Sequence, residues 1–173
     1  GDQEGIEENP MSRPRPAKPV NLFMSLIGSD RETIGAVLVL LMERFGDADY
    51  IGPCREFTYT DYYEQEMGSG LQRRFVSFAG LMPPDSLPDV KLWTNDLERR
   101  FSFGEARRIN IDPGSLSESH LILATGKGFA HRPYLRDGIY ADLTLIYSAG
   151  SFRPLPWTYP DYAAPERLDF FDR

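Results

Sequence analysis

The chain has 173 residues, 41% hydrophobic and 13% aromatic, with 19 Lys and Arg against 26 Asp and Glu and a formal net charge of −7. That length and composition suit one globular domain with a buried core, and the acidic balance argues against nucleic acid or an anionic membrane as a partner. A single cysteine, Cys54, excludes an internal disulfide and, with only two histidines, argues against a structural zinc site; no metal or cofactor is expected, and a cytoplasmic setting fits.

Residues 1–18 are acidic and then proline-rich, and they read as a flexible tail ahead of a single α+β domain over 19–173. In VNLFMSLI, from Val20, apolar residues fall on both alternating sides, which predicts a strand covered on both faces. Ser29-Asp30-Arg31-Glu32 has capping-box spacing with Ser29 as the cap. Ile34, Val37, Leu38, Leu41, Met42 and Phe45 then keep a helical stripe that Gly46 ends. The longest apolar run, Ala36–Met42, is far short of the roughly 20 residues of a membrane span.

Phe57, Tyr59 and Asp61 alternate with Glu56, Thr58 and Thr60, predicting a strand that turns at Gly68-Ser69-Gly70 into a second one, LQRRFVSFAG. After Pro83-Pro84, Ser86 is the expected cap of a second amphipathic helix marked by Val90, Trp93, Leu97 and Phe101. Arg107–Ile111 is the fourth strand. The order strand, helix, strand, strand, helix, strand is that of a ferredoxin-like split βαβ sandwich with both helices on one face.

Beyond it, capping-box spacing from Ser115 to Glu118 predicts a short third helix over 116–125, with a strand as the alternative. HRPYL, GIYADLTLIY and SFRPL form a C-terminal antiparallel β extension, joined at Asp137-Gly138 and Ser148-Ala149-Gly150. The tail PLPWTYPDYAAPERLDFF is expected to wrap the domain in extended form and to bury Trp157, Tyr159, Tyr162, Phe170 and Phe171. On that reading Trp157→Ala costs about 3–5 kcal/mol.

Asp112-Pro113-Gly114, LILATGK (Leu121–Lys127), HRPYL (His131–Leu135), Asp137-Gly138-Ile139-Tyr140, LTLIY and PLPWTYPDY together resemble an uncharacterised prokaryotic family, domain of unknown function 4416. The resemblance runs from about Pro19 to the end and implies no established activity. Where members commonly read H-R-I-Y-L, this chain has Pro133, which places that strand at an edge. A GTP-binding label on some members finds no G-x-x-x-x-G-K-[ST] loop here.

The stretch from Arg107 to Arg136 reverses the sign of the chain, with five cations against two carboxylates, and such a reversal marks a place where anions are held. The expected ligand-binding residues are Arg108, Asn110, Lys127, Arg132, Tyr134 and Tyr140. The reading that follows is a small binding or interaction module for an anionic ligand or a protein partner, as a monomer or homodimer. The alternative is a small hydrolase or phosphotransfer enzyme with His131 as base, Asp142 as its orienter and Asp112 as acid or metal ligand. A two-residue turn at Asp137-Gly138 would pair Pro133 with Asp142 and His131 with Thr144, setting His131 and Asp142 diagonally on one face. Plain structural pairing of His131 with Asp142, and an Asp112-Pro113-Gly114 turn, are the bland counterparts. Arg74-Phe75-Val76-Ser77-Phe78 resembles the end of an RNA-recognition signature whose central glycines are missing.

Overall fold

The computed structural model describes residues 11–172. Of the expected tail, residues 1–10 lie outside the described residues, and Met11–Pro19 are exposed and without regular structure. VNLFMSLIG forms β1 (Val20–Gly28), buried along its length except at half-buried Asn21. The helix α1 (Arg31–Phe45) is capped by Asp30, not Ser29. The Asp30 carboxylate accepts from the Thr33 amide at 2.7 Å and from the Thr33 hydroxyl at 2.9 Å, which brings a full negative charge to the positive end of the helix.

The strand expected through Phe57–Asp61 is absent. Short strands β2 (Ala48–Ile51) and β3 (Arg55–Glu56) are followed by one helical turn, α2 (Glu64–Met67). Phe57 and Met67 pack together on Ile27 and Leu71, with Tyr63 alongside, so the segment folds over its own apolar residues. A straight strand would have spread them over its length.

β4 (Gln72–Met82) and α3 (Leu87–Arg100) follow as expected, although the Ser86 hydroxyl donates back to the Pro83 carbonyl at 2.6 Å and does not cap α3. β5 (Ile109–Leu116) runs straight through Asp112-Pro113-Gly114, where a turn was the alternative. Gly114 serves close approach: a Cβ there would lie 2.5 Å from Phe23 Cε1 and 2.7 Å from the Ile122 carbonyl oxygen.

The segment expected as a third helix is the strand β6 (His120–Thr125). Its helix-like start signal closes a turn instead, because the Ser117 hydroxyl accepts from the amides of Ser119 and His120, each at 3.2 Å. β7 (Tyr134–Arg136), β8 (Ile139–Ser148) and β9 (Ser151–Pro154) are joined by two-residue turns, with Asp137, Gly138, Ala149 and Gly150 all at φ between 51° and 84°. From Pro160 onward the C-terminal tail is helical, not extended: Pro160 and Pro165 open α4 (Pro160–Ala163) and α5 (Pro165–Phe171), the first helical position being where proline is tolerated.

All pairings are antiparallel, in one nine-stranded sheet of order β2-β4-β1-β5-β6-β8-β7, with β3 also on β4 and β9 also on β8. The chain is therefore α+β, and β7 with its Pro133 approach lies at an edge. Both α1 and α3 cover one face, over Leu22, Met24, Leu26, Val76, Phe78, Ile109 and Ile111. The other face presents Phe23, Phe75, Leu121 and Leu145 to Tyr162 and Phe171 of the C-terminal helices. Among the described residues, no helix is long and apolar enough to cross a membrane.

Candidate functional site

The sheet is split in its middle. β5 and β6 pair only from Gly114↔Leu123 to Leu116↔Leu121. Beyond that, β5 follows β1 as far as Ile109↔Gly28, while β6 follows β8 as far as Thr125↔Tyr140. Pro113, which has no amide hydrogen, sits where the β5–β6 ladder begins. Past it the free edge of β5 is served by side chains of α3: the Ile111 amide donates to Glu98 Oε2 at 3.3 Å, and Lys91 Nζ donates to the Ile111 carbonyl at 3.5 Å. Two helix side chains thus stand in for the missing strand, satisfying backbone groups that would otherwise be buried unpaired.

A cavity of about 590 Å³ opens where the strands part. Its walls carry five cations (Arg73, Lys91, Arg107, Lys127 and Arg132), four carboxylates (Glu98, Asp112, Asp142 and Asp161) and several tyrosines, among them Tyr62, Tyr63 and Tyr159. The three arginines are already committed. Arg73, buried among the rings of Phe57, Phe75 and Tyr162, pairs with Asp161 and donates to Ser25 at 2.8 Å. Arg107 binds both oxygens of Glu66 and reaches Glu98 at 3.0 Å and Asn110 at 2.9 Å. Arg132 donates to Asp142 at 2.9 Å and to the Tyr159 hydroxyl at 3.1 Å.

The two lysines are less engaged. Lys127 Nζ donates to the Tyr62 hydroxyl at 2.7 Å and lies 5.0 Å from that ring. Lys91 Nζ comes no closer than 3.9 Å to Asp112. Burial pushes Glu98 above the usual carboxylate range against the pull of Lys91 and Arg107. It also raises Tyr63 and Tyr162, with the Asp112 charge adding to both, so these hydroxyls stay protonated and able to donate. The hydrogen bonds from Arg107 hold Glu66 below the ordinary range.

Of the residues expected from sequence, Asn110, Lys127 and Arg132 line this cavity, together with Asp112 and Asp142. Arg108 does not. It reaches Thr33 at 3.0 Å and Asp30 at 3.5 Å at the start of α1, because β5 begins at Ile109 and Arg107 and Arg108, expected within the strand, precede it. Tyr134 and Tyr140 pack edge to face at the β7–β8 hairpin, outside the cavity lining.

His131 does meet Asp142, at 3.4 Å, but not through the expected register. Arg136 faces Ile139 as anticipated, and a bulge then sets Tyr134 opposite Tyr140, so Pro133↔Asp142 and His131↔Thr144 do not form. The imidazole lies between Phe129 and Trp157, at 5.5 and 5.2 Å, behind Asp142 and outside the cavity lining. Trp157 itself is 39% exposed, stacked on His131 with its Nε1 donating to the Leu143 carbonyl at 2.7 Å; the expectation that it fills the core is corrected, and Tyr162 and Phe171 take that role.

Sequence reasoning missed Arg73, Lys91, Glu98 and Arg107. A signal was present on α3, where Lys91, Asn95 and Glu98 form a polar row at helical spacing beside the apolar one. Another was Arg73, which alternation places on the same side of β4 as buried Phe75.

Searches among curated proteins and among solved structures find no match. The model of the family described as Domain of unknown function (DUF4416) matches residues 18–173, so the chain belongs to that family.

Proposed function

We propose that this protein binds a small organic anion in the cleft where β5 and β6 part. The observation that carries this is the contrast among the cavity cations. The arginines are matched to carboxylates, whereas Lys91 and Lys127 present ammonium groups with no carboxylate at hydrogen-bonding distance among the described residues. Pockets of this volume, with aromatic walls and a few convergent polar groups, are of the kind that small ligands occupy.

The shielding of His131 does not favour an enzymatic role for it at this cleft, since a base must come within hydrogen-bond reach of its proton. The β2-β4-β1-β5 order, with α1 and α3 on one face, supports reading residues 20–116 as a ferredoxin-like split βαβ unit extended by β6–β9. We read 19–173 as one domain in a cytoplasmic setting, acting as a monomer or symmetric dimer.

Thermal unfolding in phosphate and in citrate, at matched ionic strength, tests the binding claim. A ligand at 100 times its Kd stabilises by about 2.7 kcal/mol, which raises Tm by about 5–10 °C in a protein of this size. Lys127→Ala should remove more than half of the rise. A full shift in that variant, or none in the wild type, contradicts the proposal.

A further inference from the structure

The wall of the cleft formed by α3 and β5 holds two opposite charges that stop short of contact. Lys91 is 9% exposed, yet its Nζ lies 3.5 Å from the Ile111 carbonyl and 3.9 Å from Asp112 Oδ1. A buried ammonium is costly unless acceptors sit at about 2.7–2.9 Å, and neither partner is that close. Asp112 accepts at Oδ2 from Asn110 Nδ2 at 3.0 Å, which leaves Oδ1 facing the gap.

An oxygen atom placed about 2.8 Å from both Lys91 Nζ and Asp112 Oδ1 fits this geometry. It must accept from the ammonium and donate to the carboxylate. A phosphate or carboxylate oxygen of a ligand meets the first demand and is repelled by Asp112, and a ligand ammonium does the reverse. A hydroxyl meets both. The rest of the cavity suits hydroxylated chemistry, with Thr60, Asn95 and Tyr63 supplying neutral polar groups and the exposed rings of Tyr59, Tyr62 and Tyr159 supplying flat faces.

We propose that the ligand is a hydroxylated anion, a sugar phosphate or a sugar acid, with one hydroxyl bridging Lys91 and Asp112 and its anionic group at Lys127. This rests on the anion-binding reading above and narrows it. Asp112 then selects for the hydroxyl and against bare anions, since it faces the ligand with a charge of the same sign.

The test is thermal unfolding with ribose 5-phosphate, inorganic phosphate, glucuronate and acetate at matched concentration and ionic strength. Ribose 5-phosphate should outperform inorganic phosphate, or glucuronate should outperform acetate, and the pair that separates tells phosphoryl from carboxylate. Asp112→Asn should weaken the favoured sugar about tenfold, the usual scale of one hydrogen bond to a charged group. The shift from the plain anion should persist or grow in that variant, because a repelling charge has gone. Lys91→Gln repeats the comparison should Asp112→Asn fail to fold. If neither sugar outperforms its plain anion, or the variants keep the advantage, water fills the gap and the hydroxyl bridge is wrong while anion binding stands. If none of the four probes shifts the wild type, both readings fall together.

Discussion

On β5, Ile109 and Ile111 are wholly buried on the side covered by α1 and α3, whereas Asn110 and Asp112, one step along the same strand, border the charged cavity. β4 divides in the same way, with Val76 and Phe78 on the helix side and Arg73 and Phe75 on the other. One face is closed mainly by the apolar packing of α1 and α3, with Lys91 and Glu98 of α3 at its border with the gap. The other is closed by the C-terminal helices through a mixture of rings and ion pairs, and its central gap is left open. Period-two alternation lets a single strand serve a core and a site at once, because each side meets its own demands independently.

The comparison is broken most strongly on the helix-covered face. Phe78→Ala should cost about 3–5 kcal/mol in denaturant unfolding and leave the response to anions unchanged. A comparable loss of anion response would mean that the two faces are not independent.

On the cavity face, Asp161→Ala leaves Arg73 buried without its partner and should cost about 3 kcal/mol. Replacing both, as Arg73→Met with Asp161→Leu, should recover most of that loss, since the uncompensated charge is then gone. A double variant no more stable than the single would show that Arg73 matters for something other than its pairing.

Trp157→Ala is the next smaller effect. The ring is partly exposed but keeps one hydrogen bond and one stacking contact, so about 1–2 kcal/mol is expected, below the cost of a core aromatic. A loss as large as that of Phe78→Ala would place Trp157 energetically in the core after all.

The smallest effect is a slope. Burial raises Glu98 in the folded state, so above its ordinary value of 4.5 the folded chain retains a proton that the unfolded chain releases. The stability linked to that proton is complete below pH 4.5 and is lost as pH rises through the raised value. Glu98→Gln should flatten the stability profile over that interval, and an unchanged profile would show that Arg107 and Lys91 offset the burial.

Much of this molecule was legible from the sequence. Hydrophobic periodicity located β1, α1, β4, α3 and β8, and the Asp137-Gly138 pair located a hairpin whose φ values match its turn type. Two segments beside the site were among those that resisted. The capping-box spacing from Ser115 to Glu118 pointed to a helix with a strand as the alternative, and only the pairing of β6 with both β5 and β8 decides for the strand. Asp112-Pro113-Gly114 has turn composition, but Gly114 is needed for the Phe23 ring, a contact across strands that no local signal contains. The site was half legible: Asn110, Lys127 and Arg132 stood out by charge and position, while Arg73, Lys91 and Glu98 come from segments distant in sequence and meet only where the sheet parts. DUF4416 membership adds no activity that would have pointed to them.

The measurement that bears most directly on the cleft is a map of backbone amide chemical shifts during titration with ribose 5-phosphate and with inorganic phosphate. The largest changes should fall on Asn110–Asp112 and Thr125–Lys127, at the diverging ends of β5 and β6, with Leu22–Leu26 and the α1 residues unmoved. Changes centred instead on Asp30–Thr33 and Arg108, or changes too small to assign to any segment, would contradict the account.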